Sequence, residues 1–175
     1  SGTDLTCYKR GRKAGYFNRP AGPGRIYSLS LETYIPIEET ATEGRLVLDG
    51  SLGYIGAVKE PIHIEFREGV LTILDCHEDA RRLNEYFKSF NDNRMYFPGE
   101  FGIGLNRLSK CRGFSYIEDE SSYGTFHLGM GRNISLGGIS SAPGHFDLVT
   151  FSPTIHADST LLMQDGVLVT ELRQN

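Results

Sequence analysis

Apolar and polar positions alternate along much of this chain, with the two-residue period of half-buried β-strands. Five stretches show the pattern and are predicted as strand regions: 25–37, 44–58, 61–76, 148–155 and 160–172. Turn sequences interrupt three of them, at Asp49-Gly50, Glu68-Gly69 and Gln164-Asp165-Gly166. Because short glycine-containing turns join antiparallel strands, the second and third turns are predicted to close hairpins.

A convincing helical period occurs only in residues 78–90. Its apolar positions Ala80, Leu83, Phe87 and Phe90 recur at the spacing of one helix face. Acidic residues open the segment and a lysine lies near its end, which matches the helix dipole. We therefore predict a helix whose apolar stripe packs against the core.

The connections between the predicted strands are too short for repeated βαβ crossovers, so the strands are expected to pair mainly antiparallel. The chain is predicted to be a single α+β domain, with a mainly antiparallel or mixed sheet of roughly eight to ten short strands and one or two helices. Two prolines and two glycines in residues 20–24 mark a loop. We divide the chain there into an N-terminal segment, 1–19, and a main domain, 20–175; the opening Ser1-Gly2 resembles the remnant of a cleaved tag.

Composition and net charge limit the classes of molecule that the chain is expected to bind. Hydrophobic residues make up 39% of the chain and charged residues 23%, as in ordinary globular proteins. The net charge of −4 argues against nucleic acid or an anionic membrane as the main partner, and no apolar run reaches the roughly 18 residues of a membrane span. The three cysteines, Cys7, Cys76 and Cys111, match no metal-binding spacing, and we interpret them as reduced thiols in a cytoplasmic protein.

The candidate chemistry lies in a glycine-rich stretch, residues 95–149, which contains Glu100, His127, His145 and Asp147. His145 and Asp147 form an HxD pair, and residues i and i+2 of an extended segment point to the same face. One imidazole and one carboxylate would project together there, as ligands for zinc, iron or manganese. The sequence therefore predicts a metal site in this stretch.

Other residues in and near this stretch have more than one interpretation. His127 is also compatible with an ordinary hydrogen-bonded core histidine. His156 and Asp158 form a second HxD pair, which we place on the surface because it opens a hairpin. Asp119 and Glu120 are interpreted as solvated or as neighbours of the ligands rather than ligands themselves.

Several motifs, in order, resemble the aminopeptidase T/aminopeptidase S family of metallopeptidases, and the related 2,5-dihydroxypyridine dioxygenases. The motifs are Leu31-Glu32-Thr33-Tyr34-Ile35-Pro36, Gly44-Arg45-Leu46-Val47, Pro98-Gly99-Glu100, Gly124-Thr125-Phe126-His127, Ser141-Ala142-Pro143-Gly144-His145-Phe146-Asp147 and Asp165-Gly166. The similarity covers about residues 20–172 and matches the catalytic C-terminal part of these peptidases.

The resemblance implies that five residues surround one or two divalent metal ions: Glu32, Glu100, His127, His145 and Asp147. The ions would be zinc, manganese or cobalt in a peptidase, where they activate a bridging water against the scissile carbonyl. Glu32 or Glu100 would bridge the ions or act as the general base. In the dioxygenase alternative the ion is Fe(II), and a site of two histidines and one carboxylate would use His145, Asp147 and His127.

This chain also departs from the family pattern. Ile134 stands where the family has a tyrosine near the metal, the segment before His145 has one extra residue, and the loop between His127 and His145 is shorter than in the peptidases. The dioxygenase relatives have a histidine where this chain has Glu100. The peptidases carry an additional N-terminal domain that walls the substrate cavity and has no counterpart in this sequence.

Three functions follow as hypotheses. The first is an aminopeptidase-like, metal-dependent hydrolase that activates water against a peptide or amide bond. The second is a mononuclear non-haem iron dioxygenase of the ring-cleaving type. The third is a non-catalytic descendant that binds a peptide or partner. The expected substrate is a peptide or small molecule, and a homodimer or a separate chain is expected to replace the missing N-terminal domain.

Overall fold

The computed structural model describes residues 2–18, 23–24 and 30–169. The strands in these ranges are β1 Asp4–Thr6, β2 Gly15–Phe17, β3 Glu32–Pro36, β4 Glu43–Leu48, β5 Ser51–Leu52, β6 Gly56–Ala57, β7 Ile62–Arg67, β8 Val70–Ile73, β9 Pro98–Gly104, β10 Thr125–Gly131, β11 His145–Phe151, β12 Ile155–Ala157, β13 Thr160–Gln164 and β14 Val167–Leu168. The helices are α1 Glu78–Ser89 and α2 Tyr116–Ser121, and short 3-10 turns occupy Asn93–Tyr96 and Ile134–Leu136.

These strands form three antiparallel sheets. A four-stranded sheet has the order β1-β4-β7-β8, a seven-stranded sheet the order β2-β3-β9-β10-β11-β5-β6, and a small third sheet contains β12, β13 and β14. Every strand pair in the described ranges is antiparallel. The predicted α+β class, with mainly antiparallel pairing and one or two helices, is confirmed.

Both predicted hairpins are present. β7 and β8 are joined by Glu68-Gly69, with φ of 50° and 76°. β13 and β14 are joined by Asp165-Gly166, with φ of 47° and 80°. Two successive left-handed residues give the twist that a two-residue hairpin needs, and glycine adopts this conformation without strain. At Asp49-Gly50, by contrast, the chain passes from the four-stranded sheet into the seven-stranded one, because β4 pairs with β7 while β5 pairs with β11.

Helix α1 confirms the predicted helix to within one residue at its end. His77 precedes it as the N-cap and accepts the backbone N–H of Ala80. The helix ends at Ser89, with Phe90 as its C-cap. Ala80, Leu83 and Phe87 are buried on the predicted face, so the apolar stripe belongs to the core.

The number of strands was underestimated, because several of those in the described ranges have only two or three residues. β1, β2, β5 and β6 are too short for a period of two to be visible in the sequence. β1 and β2 lie within the segment 1–19 and pair with β4 and β3. The parts of the predicted strands at 25–29 and 170–172 lie outside the described residues.

The seven-stranded sheet has one apolar face and one polar face. Phe126, Leu128 and Met130 of β10 alternate with His127 and Gly129. The apolar face belongs to the same buried cluster as the four-stranded sheet and α1, and the largest buried side chains of this cluster include Phe66, Phe87 and Phe146. The polar face therefore remains free to carry a site.

Two further observations bear on the sequence predictions. Cys7, Cys76 and Cys111 are free thiols, and burial raises the pKa of Cys7 to about 11. Among the described residues, neither helix has the length and apolar character needed to cross a membrane.

Candidate metal centre

The five residues predicted around a metal come together on the polar face of the seven-stranded sheet. Glu32 lies on β3, Glu100 on β9, His127 on β10, and His145 and Asp147 on β11. These four strands are neighbours in the sheet. The pairing registers place Glu100 opposite Gly129, and Gly129 opposite Asp147. Residues in such a row across antiparallel strands point to the same face, so the carboxylates of β9 and β11 share a surface.

Glycines make room for these side chains. A Cβ atom at Gly129 would lie 2.6 Å from Cε1 of His145 and 2.8 Å from Cβ of Glu100. A Cβ atom at Gly102 would lie 2.0 Å from Nε2 of His127. These separations are shorter than any van der Waals contact. Both positions therefore need glycine, which gives a physical reason for the glycine-rich sequence of this stretch.

The potential ligand atoms form two groups that share one residue. Glu32, Glu100 and His127 make the first group, and Glu100, His145 and Asp147 make the second. Within each group the ligand atoms lie within 4.8 Å of one another. Glu100 belongs to both, so the two groups are contiguous. His127 and His145 fall in different groups, which does not match a single site built from His127, His145 and Asp147.

In the first group, His127 and Glu32 form a buried pair. Nε2 of His127 lies 2.9 Å from Oε2 of Glu32, and the Ser30 hydroxyl donates to Oε1 of the same carboxylate at 2.5 Å. Beyond this contact with His127, Oε2 of Glu32 has no partner in hydrogen-bond geometry among the described residues. Nδ1 of His127 also has no hydrogen-bond partner there. This histidine therefore differs from an ordinary core histidine, whose ring nitrogens are paired.

In the second group, one ring nitrogen of His145 is hydrogen-bonded to the backbone and the other lies close to two carboxylates. Its Nδ1–H donates to the backbone carbonyl of Arg132 at 2.7 Å, so Nε2 is the nitrogen left for a ligand. Nε2 lies 3.0 Å from Oε2 of Glu100 and 3.0 Å from Oδ1 of Asp147. The side chain of His145 is 29% exposed, whereas those of Glu100 and Asp147 are 5% and 3% exposed. His145 therefore marks the side on which the centre meets solvent.

Helix α2 contributes two residues that the sequence analysis did not assign to the centre. The Tyr116 hydroxyl donates to Oδ2 of Asp147 at 2.5 Å. Glu120 is buried, and burial together with the charge of Asp147 raises its pKa to about 10. The prediction that Asp119 and Glu120 are solvated is wrong; both are buried, and Glu120 is a neighbour of Asp147, which was the other interpretation offered for it.

Asp119 is buried for a structural reason. Its carboxylate accepts the backbone N–H groups of Arg112 and Gly113 and so fixes the loop that precedes α2. The start of α2 has a recognisable signal, since Ser115 accepts the N–H of Glu118 in the spacing of a capping box. From that start, Tyr116 and Glu120 lie four residues apart on one helix face. This signal would have indicated the helix and the shared face, but not which part of the fold that face contacts.

The electrostatics of the centre fit a cation. Four carboxylates and two imidazoles are gathered here, and a buried anion without a counter-charge is strongly unfavourable. Burial raises the pKa of Glu100, and although burial alone would lower the pKa of His127, the charges of Asp147 and Glu32 raise it to about 10. Without a metal, protons therefore balance the charge. Oδ1 of Asp147 and Oε2 of Glu32 lie 3.0 and 2.9 Å from imidazole nitrogens and have no hydrogen-bond partner among the residues that the structure describes. Both oxygens are therefore available to a cation.

Other residues considered in the sequence lie elsewhere or point away. His156 lies on β12 and Asp158 lies in the turn between β12 and β13; both are exposed, as predicted. Ile134 is 47% exposed and brings no hydroxyl to the centre. Tyr123, the nearest tyrosine in sequence to His127, accepts the backbone N–H of Leu168 at 3.1 Å.

The chain is similar to known proteins over most of its length. The model of the family "NicX: 2,5-dihydroxypyridine 5,6-dioxygenase" matches residues 1–170. The 2,5-dihydroxypyridine 5,6-dioxygenase of Pseudomonas putida KT2440 is 28% identical over 166 residues, which are 89% of this chain and 47% of that protein. The chain therefore spans about half the length of this curated relative.

Two solved structures have a similar fold. The 2,5-dihydroxypyridine dioxygenase structure from Pseudomonas putida KT2440 has a TM-score of 0.69 and 27% identity, covering 81% of this chain and 44% of that one. Wild-type AmpT from Thermus thermophilus, an aminopeptidase T, has a TM-score of 0.70 and 18% identity, covering 97% of this chain and 48% of that one. The predicted resemblance to both groups is confirmed, by sequence and fold for the dioxygenases and by fold for aminopeptidase T.

Proposed function

Because the chain belongs to the NicX family of 2,5-dihydroxypyridine 5,6-dioxygenases and has a fold similar to that of an aminopeptidase T, we propose that it carries the metal centre of an enzyme in which divalent ions activate water. The reaction we favour is aminopeptidase-like hydrolysis of a peptide or amide bond. One observation carries this choice: the two groups of ligand residues share Glu100.

A shared carboxylate is what a pair of neighbouring ions requires. Glu32 and His127 would hold one ion, His145 and Asp147 the other, and Glu100 would bridge them. The donors are three carboxylates and two imidazoles, a set that suits zinc, manganese or cobalt. Bound ions of this kind supply Lewis acidity and lower the pKa of a coordinated water.

The chain's own residues have distinct tasks in this proposal. Ser30 fixes Oε1 of Glu32, which leaves Oε2 facing the centre as the atom that would bind the ion. The carbonyl of Arg132 keeps the proton of His145 on Nδ1. The partly exposed His145 lies where substrate would enter. Buried apolar side chains on the opposite face of the sheet, among them Phe126 and Leu128, exclude water from that side.

The second candidate is a ring-cleaving dioxygenase with one Fe(II). The family match and the 28% identical relative favour it. In that reading His127, His145 and Asp147 would hold one ion. The separation of His127 and His145 into two groups favours the hydrolase instead. This chain spans about half the length of its relatives. For either candidate, we therefore propose that a further domain or a second copy completes the cavity, and the substrate is a proposal as well.

Metal content separates the candidates when it is measured for the wild type and four variants, His145→Ala, Glu100→Ala, His127→Ala and His156→Ala. The two-ion hypothesis predicts about two equivalents of zinc or manganese per chain in the wild type and about one in His145→Ala. In Glu100→Ala it predicts no tightly bound metal. His156→Ala is the matched control, since it removes the other HxD histidine at an exposed position, and it should retain the wild-type content.

Other outcomes identify the alternatives. A single iron that is lost equally in His127→Ala and His145→Ala would support the dioxygenase. Failure of the wild type to bind any of these metals, after loading with each under reducing conditions, would contradict both catalytic readings and leave a non-catalytic binding role. Loss of metal in His156→Ala but not in His145→Ala would place the centre at the other HxD pair.

A further inference from the structure

We propose that Tyr116 is a positioning residue of the metal centre, whose hydroxyl fixes the orientation of the Asp147 carboxylate. This inference rests on the proposed function, since it assumes that Asp147 binds an ion. Tyr116 lies on α2, outside the four strands that carry the ligand residues. Its contact with Asp147 is the observation that carries the inference.

The two oxygens of Asp147 face different partners. Oδ2 accepts the hydrogen bond from the Tyr116 hydroxyl at 2.5 Å, while Oδ1 faces Nε2 of His145 at 3.0 Å. Oδ1 has no partner in hydrogen-bond geometry among the described residues, whereas Oδ2 does. One oxygen is therefore engaged by the protein, and the other is left for an ion. A carboxylate held in this way cannot rotate freely, which is how hydrogen bonds to a ligand tune metal affinity.

The ring of Tyr116 is itself held in place. It stacks on Tyr54, with ring centroids 4.5 Å apart and planes within 9° of parallel. Ser115 caps the first turn of α2, and Asp119 binds the loop in front of it. The hydroxyl therefore reaches Asp147 from a rigid support, so its hydrogen bond imposes direction on the carboxylate.

Other candidate side chains do not provide this hydroxyl. Ile134, at the position where related peptidases have a tyrosine, is half-exposed and apolar. The Tyr123 hydroxyl is engaged with the backbone of Leu168, and its ring lies under the Arg107 guanidinium at 4.0 Å. Tyr116 thus supplies a tyrosine hydroxyl to the centre from a different element of the fold.

The test measures metal affinity, by competition with a chromophoric chelator, and the visible spectrum of the cobalt-loaded protein. Tyr116→Phe keeps the stacked ring and removes one oxygen. We expect it to bind zinc about 10- to 100-fold more weakly than the wild type and to shift the cobalt spectrum, while the unfolding midpoint of the metal-free protein changes little. Tyr123→Phe is the matched control and should retain both the affinity and the spectrum.

A second variant keeps the inference testable if Tyr116→Phe does not fold. Tyr54→Ala removes the stacking partner from an exposed position and should weaken metal binding by a smaller factor than Tyr116→Phe. Wild-type affinity and spectrum in the variants that fold would overturn the role of Tyr116 and leave the proposed function standing. Absence of metal from the wild type would overturn the proposed function and, with it, this inference.

Discussion

The candidate metal centre requires glycine at position 129, because a larger side chain there would overlap two of the ligand residues. Gly129 lies between Glu100 and Asp147 in the sheet, and the imidazole of His145 covers it. Each of these three side chains would bind the proposed second ion. At the residue scale, the absence of a side chain at Gly129 is therefore as necessary for the centre as the ligand atoms.

Gly129→Ala is expected to disturb the centre and the fold together. The added Cβ would lie 2.6 Å from His145 and 2.8 Å from Glu100, so both side chains must shift. Overpacking of this kind lowers the free energy of unfolding by about 1–3 kcal/mol. Metal content and urea unfolding of the variant measure both effects, and we expect metal binding to fall sharply.

Thr125→Ala provides the matched control on the same strand and face. Its hydroxyl donates to the carbonyl of Ser122 and contributes to stability without belonging to either ligand group. It should lose some stability and keep its metal. Equal metal binding in Gly129→Ala and the wild type would show that the ligand positions inferred above are not those that hold metal.

At the element scale, the hairpin of β7 and β8 shows how local sequence sets local structure. Its turn residue Gly69 has a φ of 76°, and a Cβ atom there would lie 2.0 Å from the backbone oxygen of Glu39. Gly11 has a similar φ of 79°, but a Cβ atom there would meet nothing within 4 Å. The two glycines thus share a conformation and differ in their surroundings.

Alanine at these two positions separates conformation from packing. Gly11→Ala should lower the free energy of unfolding by about 1–2 kcal/mol, which is the strain of a left-handed non-glycine residue. Gly69→Ala should lower it further, because the backbone of Glu39 must also move. Urea denaturation of both variants measures the difference, and equal losses would mean that the contact with Glu39 relaxes without penalty.

Elements with strong local signals could be predicted from the sequence. Interactions between residues close in the chain specify three such elements: the hairpin turns at Glu68-Gly69 and Asp165-Gly166, and helix α1. The passage of the chain from one sheet to the other at Asp49-Gly50 could not be predicted. An Asp-Gly turn can either close a hairpin or connect strands of different sheets, and the local sequence does not distinguish the two. Helix α2 was missed because six residues give too short a period, although its cap at Ser115 was visible.

At the scale of the whole molecule, Glu39 joins parts of the chain that are far apart in sequence. Two nitrogens of Arg12 bind its carboxylate at 3.1 and 2.7 Å, and Nδ2 of Asn133 donates to it at 2.7 Å. The backbone N–H of Ile139 donates to it as well, and Asn133 also binds the carbonyl of Gly99, which precedes Glu100. This carboxylate therefore supports the strand end that carries the shared ligand.

Glu39 should make the fold sensitive to acid. Burial alone would raise its pKa, but the hydrogen bonds from Arg12, Asn133 and Ile139 lower it overall below the ordinary 4.5. A folded-state pKa below the unfolded one contributes stability that is present above about pH 4.5 and is lost as the pH falls through the folded-state value. We therefore expect the free energy of unfolding of the wild type to decline below that pH.

Glu39→Gln removes this dependence. We expect a loss of about 1–3 kcal/mol at pH 7, because a charge-assisted network is broken, and a smaller difference from the wild type at pH 3. Urea unfolding from pH 3 to pH 7 tests this, with Glu38→Gln as the control, since Glu38 is next in the chain and pairs with the exposed Arg10. A constant gap between Glu39→Gln and the wild type across this range would contradict the assignment.

The candidate centre was only partly predictable, because its residues are brought together by the whole sheet. Glu100, His127, His145 and Asp147 lie in one glycine-rich stretch that attracts attention in the sequence. Glu32 came from the family resemblance, since a glutamate in an alternating strand carries no local signal. Tyr116 and Glu120 depend on where α2 packs, and that is decided by tertiary contacts rather than by nearby sequence.

The sharing of Glu100 by two ligand groups has a thermodynamic consequence. An ion held by β3, β9, β10 and β11 would bind only the folded sheet, so binding would add to the free energy of unfolding, by about 2.7 kcal/mol at one hundred times its dissociation constant. Since Glu100 would serve both ions, occupancy of one group would preorganise the other. Removal of the ions would therefore weaken the seven-stranded sheet as a unit rather than one corner of it.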